Sequence, residues 1–507
     1  MARSKPTSAS RALALAAVLA LTGTGLNACA GAHNSAAEIG SCEVLARYTP
    51  KDGGGGTVKI ATALTGTEGE RFEQSMERFE ECTGIDVVHE GSDRLEENLR
   101  ARADGTTDWD ADLAVVPQPG LVADLAGKDA LSPLSDVVGA NVELGWDHAW
   151  SAAGTVDGTF YGAPLMASVK SFVWYSPETF AKAGYEVPAT WDELVALTNR
   201  IAADHPKDGV TPWCLGMADG GTTGWTMTDW LEESLLATGG LGAYDAWANH
   251  TVALDSPSAV NALGTVDSLL MKGGHVHGGR DGALSTTMEQ AGQQLADGSC
   301  LMMLASSNFE TMLPAGTIIT DTKGRTGEGP SIAPTVGGGV AASDGTEAYS
   351  GTDTSATAGA GATASSGPPA SVSAFLVPGA DDADGGPPVL VGGDYLVSLR
   401  QADGTSEAAN AVMDYLTSAE WAQQRAELGG VATANRGVDV SEVSSDVTVR
   451  ATRILQSRQS VIRLDASDSM PSQVGTRALW TALASWTAGE LDSKRALAQA
   501  EAAWPDE

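Results

Sequence analysis

Positive charge is scarce in this chain: across 507 residues, Lys and Arg number 30 against 65 Asp and Glu, a formal net charge of −35. That balance makes nucleic acid, or an anionic membrane surface, a poor partner and favours a neutral or cationic ligand. Phe and Tyr are also few, 7 and 8, whereas Trp reaches 13. Familiar enzyme signatures are missing. There is no G-x-S-x-G elbow, no H-E-x-x-H, no Walker loop and no G-x-G-x-x-G following a strand. Their absence weighs against serine hydrolases, zinc proteases, NTPases and dinucleotide enzymes. Glycoside hydrolysis survives this filter, because it asks only for two facing carboxylates. Beyond the N-terminus no run is long and apolar enough to cross a bilayer.

The N-terminus itself reads as a targeting segment. Arg3, Lys5 and Arg11 precede an apolar run over 12–26, too short to span as a mature helix. The run closes on Leu26-Asn27-Ala28-Cys29, which resembles the bacterial lipobox, where the cysteine thiol takes diacylglycerol and the preceding peptide is cleaved. A signal peptide over 1–28 and a lipid on Cys29 are therefore expected, with attachment to the membrane through that anchor only. Plain secretion, with Cys29 as an odd thiol, is the alternative.

Without Cys29 an even set remains: Cys42, Cys82, Cys214 and Cys300. In a chain exported to an oxidising compartment, two disulfides are expected. Four thiols permit three pairings, and none has the C-x-x-C spacing of a metal or redox site. The favoured pairing joins Cys42 to Cys82 and Cys214 to Cys300, the second closing a loop large enough for roughly 4 to 5 kcal/mol in the chain-entropy model.

The length of the chain favours two lobes over one core. The polar stretch 29–56, ending in Lys51-Asp52-Gly53-Gly54-Gly55-Gly56, reads as a flexible tether, with folding beginning near Thr57. Thr57-Val58-Lys59-Ile60-Ala61 alternates as a strand, and Phe72, Met76 and Phe79 share one helical face ended by Gly84. A strand at 85–88, a helix at 93–102 and a strand at 112–116 follow. This alternation implies right-handed crossovers and a parallel sheet, whose ligands sit at the carboxyl ends of strands. Gly66-Thr67-Glu68, Glu90-Gly91-Ser92 and Gln118 fall on such ends. Further strands are expected at 171–175, 374–377 and 389–391, and helices at 191–203, 228–237, 258–271, 406–416, 419–428 and 476–488. Thr190 is the N-cap of the helix at 191–203, with Glu193 completing a capping box. From 336 to 369 the sequence is almost wholly Gly, Ala, Ser and Thr and reads as a flexible insertion.

Two constellations could hold a metal, but simpler readings prevail. Gly274-His275-Val276-His277-Gly278 reads as a solvated turn, and Asp104, Asp108, Asp110 and Asp112 as a solvated acidic loop without the terminal bidentate glutamate of an EF-hand. No metal and no cofactor is expected. Tryptophan is the stronger clue, because the C–H face of a sugar ring stacks on indole while its hydroxyls need polar partners. Trp225, in Gly221-Thr222-Thr223-Gly224-Trp225, is the best placed.

Longer segments carry a family resemblance. They include Phe79-Glu80-Glu81-Cys82-Thr83-Gly84-Ile85-Asp86-Val87, Val116-Pro117-Gln118-Pro119-Gly120-Leu121, Gly158-Thr159-Phe160-Tyr161-Gly162-Ala163-Pro164 and Lys170-Ser171-Phe172-Val173-Trp174-Tyr175-Ser176-Pro177. Thr211-Pro212-Trp213-Cys214, Thr228-Asp229-Trp230-Leu231-Glu232 and Asp465-Ala466-Ser467-Asp468-Ser469-Met470-Pro471 extend the match over nearly all of 42–504. Together they resemble the family 1 extracellular solute-binding proteins, in particular the group attached to α-glucoside importers. The resemblance implies an α/β, two-lobed type II periplasmic-binding-protein fold with three inter-lobe crossings, near 162–165, 388–392 and 451–455. Lobe 1 would then hold 57–164 plus 389–450, and lobe 2 would hold 165–388 plus 451–507. It also implies a monomeric receptor that takes a small oligosaccharide, an α-glucoside, outside the cell and presents it to the permease subunits of an ABC importer. An anchored sugar sensor and a glycoside hydrolase are the alternatives.

By similarity to maltose-type relatives, Tyr175 matches a sugar-contacting tyrosine and Trp480 a stacking tryptophan. Gln118 and Trp225 match loops lining the cleft, and Asp394 and Arg436 match cleft-facing polar groups. One departure concerns specificity. Where relatives follow the cysteine matching Cys300 with an aromatic and a polar run, this chain reads Leu301-Met302-Met303-Leu304-Ala305-Ser306-Ser307. The insertion at 336–369 is also foreign to the group.

Overall fold

A computed structural model describes residues 41–51, 55–320, 370–379 and 387–505. The expected signal peptide, the lipidation site Cys29 and the insertion at 336–369 lie outside the described residues.

The first sheet has the strand order Ile462–Leu464, Val389–Leu399, Leu113–Val116, Thr57–Thr62 and Asp86–Gly91, and Leu131–Ser132 and Gly162–Val169 also pair with Val389–Leu399. Thr57–Thr62 runs parallel to both Asp86–Gly91 and Leu113–Val116, as the alternation of strand and helix requires. The long strand Val389–Leu399 is antiparallel to Leu113–Val116 and to Gly162–Val169.

Two local expectations change in this lobe. The single helix carrying Phe72, Met76 and Phe79 is two helices, Gly66–Gln74 and Glu77–Thr83, although all three side chains are buried as expected. The break falls at buried Ser75, whose hydroxyl donates to the Phe72 carbonyl at 2.6 Å and accepts from the Trp421 indole at 3.0 Å. Such back-bonding competes with the helix ladder. Gly84 ends the second helix at φ +73°. The tether is also shorter than 29–56: Cys42–Leu45 is helical, and Leu45 and Tyr48 are buried, Tyr48 against Phe79 and Tyr415. The Cys42–Cys82 disulfide anchors this segment, so the folded body begins before Thr57.

The second sheet runs Ile318–Ile319, Ser371–Leu376, Phe172–Tyr175, Cys300–Leu304 and Thr211–Trp213. Strand period two divides its side chains. Phe172 and Trp174 join the core shared with the first sheet, while Val173 and Tyr175 face the helices Trp191–Asp204 and Trp225–Ala248. The Cys214–Cys300 disulfide is formed here, so both favoured pairings are present. Thr190 caps its helix, but the Glu193 carboxylate accepts from Ala189 N–H rather than from the cap's own. The histidine turn is solvated only in part. His275 is buried and its Nδ1 donates to the Leu269 carbonyl at 2.7 Å, because the adjoining Val276 bridges to Trp213.

Three passages join the sheets. Gly162–Val169 keeps its pairing through Val169 opposite Val391, and the chain passes to the second sheet at Lys170-Ser171. Here the passages are stitched together. Lys170 N–H donates to the Leu390 carbonyl at 2.8 Å and Asp465 N–H to the Val391 carbonyl at 2.9 Å. Leu390 N–H donates to the Ser171 hydroxyl at 2.7 Å. The strand exchange therefore sits at 170–171, 390–391 and 464–465. Among the described residues, no helix is long and apolar enough to cross a membrane.

Candidate ligand-binding site

Where these strands cross, the chain buries more charge than at any point sequence alone would suggest. Helix Trp225–Ala248 presents Asp229, Glu232 and Glu233 on one face by i, i+3 and i+4 spacing, and all three are buried. Glu232 accepts from the N–H groups of Ala466 and Ser467 at 2.9 and 3.0 Å and from the Tyr244 hydroxyl at 2.6 Å. A carboxylate thus satisfies the free donors at the start of the short helix Ala466–Ser469. Asp465 caps the same helix, accepting from Asp468 N–H at 2.9 Å.

One cation serves this cluster. The Lys170 ammonium lies 3.3 Å from Asp229, 2.5 Å from Asp465 and 3.0 Å from Asp468. Burial works against its charge, but the three carboxylates outweigh burial and raise its pKa well above the usual range. The acids are held unequally. Burial pushes Asp229 up to about 8, and Glu233 likewise to about 8. Asp468 is pushed up to about 7 by burial and by the neighbouring Asp465. Asp465 itself, despite burial, is lowered by Lys170 and its hydrogen bonds.

Asp394 stands in the same region, on the long strand. The register of Val389–Leu399 against Gly162–Val169 shifts between Asp394, opposite Met166, and Tyr395, opposite Pro164, so Leu165 is the extra residue of a bulge. Bulges re-aim the neighbouring side chains. Asp394 accepts no hydrogen bond from the described residues, and its pKa is pushed up to about 7 by burial, then by the charges of Glu68 and Asp468. Glu68 belongs to the first lobe, where it reaches across to Thr311 at 3.2 Å and Asn308 at 3.4 Å of the second. Asp394 therefore faces charges supplied by both lobes.

Asp394 lies on the long strand, and three further expected residues stand at the starts of helices. Gln118 ends the loop after strand Leu113–Val116 at the start of helix Pro119–Gly127. Two residues on, a Cβ at Gly120 would stand 1.9 Å from the Met470 carbonyl, so that helix abuts the second lobe. Trp480 begins helix Trp480–Thr487 directly after the π-turn Gln473–Leu479, with its indole Nε1 buried and unpartnered. Trp225 opens helix Trp225–Ala248 half-buried, its Nε1 donating to Asp219 at 2.9 Å.

The other two stand apart. The Tyr175 ring is 2% exposed and packs on Phe180 and Phe375, on the helix-covered face of the second sheet. The Arg436 guanidinium donates to the Trp146 carbonyl at 2.6 Å and lies 3.6 Å from Asp147, in the first lobe. Lys170, Asp229, Asp465 and Asp468 are the site residues that sequence reasoning passed over. Their signal was local: acids set into an apolar run, Asp229-Trp230-Leu231-Glu232-Glu233, and a lone lysine entering a buried strand.

Among the described residues no group of three or more His, Cys, Asp or Glu could hold a metal ion. The acidic loop is spent on ion pairs, Asp110 with Lys59 at 2.8 Å and Asp104 with Lys128 at 2.5 Å. What the junction offers instead is a hydrogen-bond acceptor at Asp394, beside the charge of Glu68. An acceptor of this kind suits a ligand that carries hydrogen-bond donors.

Two α/β lobes joined by three closely stitched strands, with buried polar groups at the junction, define a two-lobed solute-binding protein. The chain belongs to the bacterial extracellular solute-binding protein family, whose model matches residues 63–423. It is 31% identical over 451 residues to the osmoprotective compounds-binding protein GgtB of Synechocystis sp., covering 88% of this chain and 92% of that one. It is 33% identical over 276 residues to the alpha-glucosides-binding periplasmic protein AglE of Rhizobium meliloti, covering 52% of this chain and 58% of that one. Among solved structures, the bacterial solute receptor AcbH, described as preferring β-D-galactopyranose, superposes with a TM-score of 0.67 at 16% identity over 89% of this chain and 98% of that one. The maltose-bound MalE3 of T. maritima gives 0.61 at 16% identity, over 88% and 98%. At such identities these superpositions speak for the fold alone.

Proposed function

We propose that this protein captures a small carbohydrate of the α-glucoside class outside the cell, holds it between the lobes, and hands it to an ABC importer. The observation that carries the reading is Asp394: a partly buried carboxylate on the strand common to the lobe junction, open to a hydrogen-bond donor and set among charges from both lobes. A sugar hydroxyl supplies such a donor. The relative named for alpha-glucosides supports the ligand class. In this reading Gln118 and Asp394 bind hydroxyls while Trp225 and Trp480 stack on the ring. Tyr175 and Arg436 act from behind that surface, by fixing the second sheet and the first-lobe segment at 146–147.

A monomeric chain attached through a lipid on Cys29 completes the proposal. Cys29→Ala is expected to release the protein from the membrane fraction; retention there would remove the anchor from it. The main test is a titration of the soluble form beginning after Cys29 with maltose, trehalose, sucrose and short maltodextrins, followed by tryptophan fluorescence. Saturable binding at about micromolar dissociation constant, about −8 kcal/mol, with the sugar recovered intact, is expected. Recovery of cleaved sugar would favour a glycoside hydrolase, and silence across the panel would remove the α-glucoside class.

A further inference from the structure

The centre of strand Val389–Leu399 carries two adjacent glycines, and each is occupied from outside the strand. A Cβ at Gly393 would stand 2.5 Å from Cζ3 of Trp150 and 2.9 Å from the Met166 carbonyl oxygen. A Cβ at Gly392 would stand 2.7 Å from Cε of Lys170. The aliphatic stem of Lys170 therefore lies against bare backbone, and a Cβ there would push it aside. Its ammonium then reaches Asp229, Asp465 and Asp468.

The groups it touches come from separate parts of the chain. Lys170 follows the first, directly after strand Gly162–Val169, and Gly392 lies in the second. Asp465 follows Ile462–Leu464 in the third, and Asp229 belongs to the second-lobe helix. Lys170 itself thus belongs to the first passage and touches both of the others. Asp394 lies two residues beyond Gly392 and feels the charges of both Lys170 and Asp468.

We propose that Lys170 is the positioning residue of the hinge: lying across Gly392 and holding Asp465 and Asp468, it fixes the angle between the lobes and the place of Asp394 in the seam. The role of Asp394 rests on the function proposed above; the role in lobe geometry does not. Removing the ammonium leaves three clustered carboxyl groups, two of them buried, without their cation, which drives the segment 465–468 away from the hinge strand. A methyl group at residue 392 lifts the lysine stem while leaving every charge in place.

The test uses the soluble chain beginning after Cys29, in which the four native cysteines are paired, with Glu143→Cys and Lys207→Cys as exposed attachment points on the two lobes. Spin-label distances are measured without sugar in the parent, Lys170→Met, Gly392→Ala and Val412→Ala, the last a core truncation in the first lobe. Both hinge variants are expected to shift or broaden the distance distribution, and to weaken sugar binding at least about tenfold. Val412→Ala should lower the melting temperature with the distribution unchanged. Hinge variants that melt earlier yet keep the parental distribution would reduce Lys170 to a structural ion pair and overturn the proposal. If Lys170→Met does not fold, Gly392→Ala decides alone. If the parent binds no sugar, the proposed function fails while the distances still decide the hinge role.

Discussion

Gly224 lies directly against the backbone of Trp480: a Cβ at residue 224 would stand 2.2 Å from the Trp480 carbonyl oxygen. With φ +115°, Gly224 also occupies backbone space that other residues rarely adopt. The contact sets Trp225, next in the chain, beside the start of the helix that carries Trp480. Two indoles 255 positions apart are thereby brought to one end of the second lobe.

Trp480→Ala is expected to weaken sugar binding at least about tenfold, about 1.4 kcal/mol. Aromatic stacking beyond area burial contributes about that much. The indole is also packed, so the melting temperature should fall while far-UV circular dichroism keeps the parental shape. Unchanged affinity in a folded variant would take Trp480 out of the site.

Asp394→Asn keeps the shape of the side chain but removes a partly buried carboxylate. Sugar affinity should drop about tenfold or more as one acceptor is lost. The melting temperature should hold or rise, because a partly desolvated charge set beside other carboxylates is gone. A variant that binds normally would transfer the hydroxyl contact to another group.

Stability should depend on pH with an unusual sign. Asp394 and Asp468 are pushed up to about 7, and Asp229 and Glu233 to about 8, by burial. Each lies above the unfolded value of about 4, so the folded chain binds more protons than the unfolded one between these values. Their stabilisation is complete below about pH 4 and is lost as pH rises through 7 to 8. Asp465, lowered by Lys170, acts in the opposite sense, its contribution fading as pH falls through its folded pKa. The melting temperature is therefore expected to be higher at pH 5.5 than at pH 8.5 in calorimetry at constant salt. A profile rising toward alkaline pH would contradict the assignment.

The two disulfides should differ in worth. Cys214–Cys300 encloses a separation of 86 residues and Cys42–Cys82 one of 40. In the chain-entropy model the longer loop contributes more, roughly 4.6 against about 4 kcal/mol. Paired Cys→Ser replacement at 214 and 300 is expected to lower the urea midpoint more than replacement at 42 and 82. The reverse order would show that Cys42–Cys82 also holds the N-terminal helix in place through contacts the model does not count.

Local periodicity made much of this fold legible in the sequence. Strand period two and helix period 3.6 depend only on neighbours in the chain, so Thr57–Thr62, Leu113–Val116, Trp191–Asp204 and Glu407–Leu416 fall close to where the pattern puts them. The paired cysteines and the family resemblance were equally local, carried by short segments. What only the tertiary structure decided was where charge is buried and which face each side chain takes. Lys170 meets Asp465 and Asp468 across nearly three hundred residues. No spacing rule foretells such a meeting, because a buried ion is tolerable only where partners from elsewhere in the chain converge on it. The same holds for the Ser75 helix break, for buried Tyr48 and His275, and for Tyr175, whose face was fixed by strand register and by the helices covering that side. Register and convergence are properties of the packed chain, and there the Asp394 seam was made.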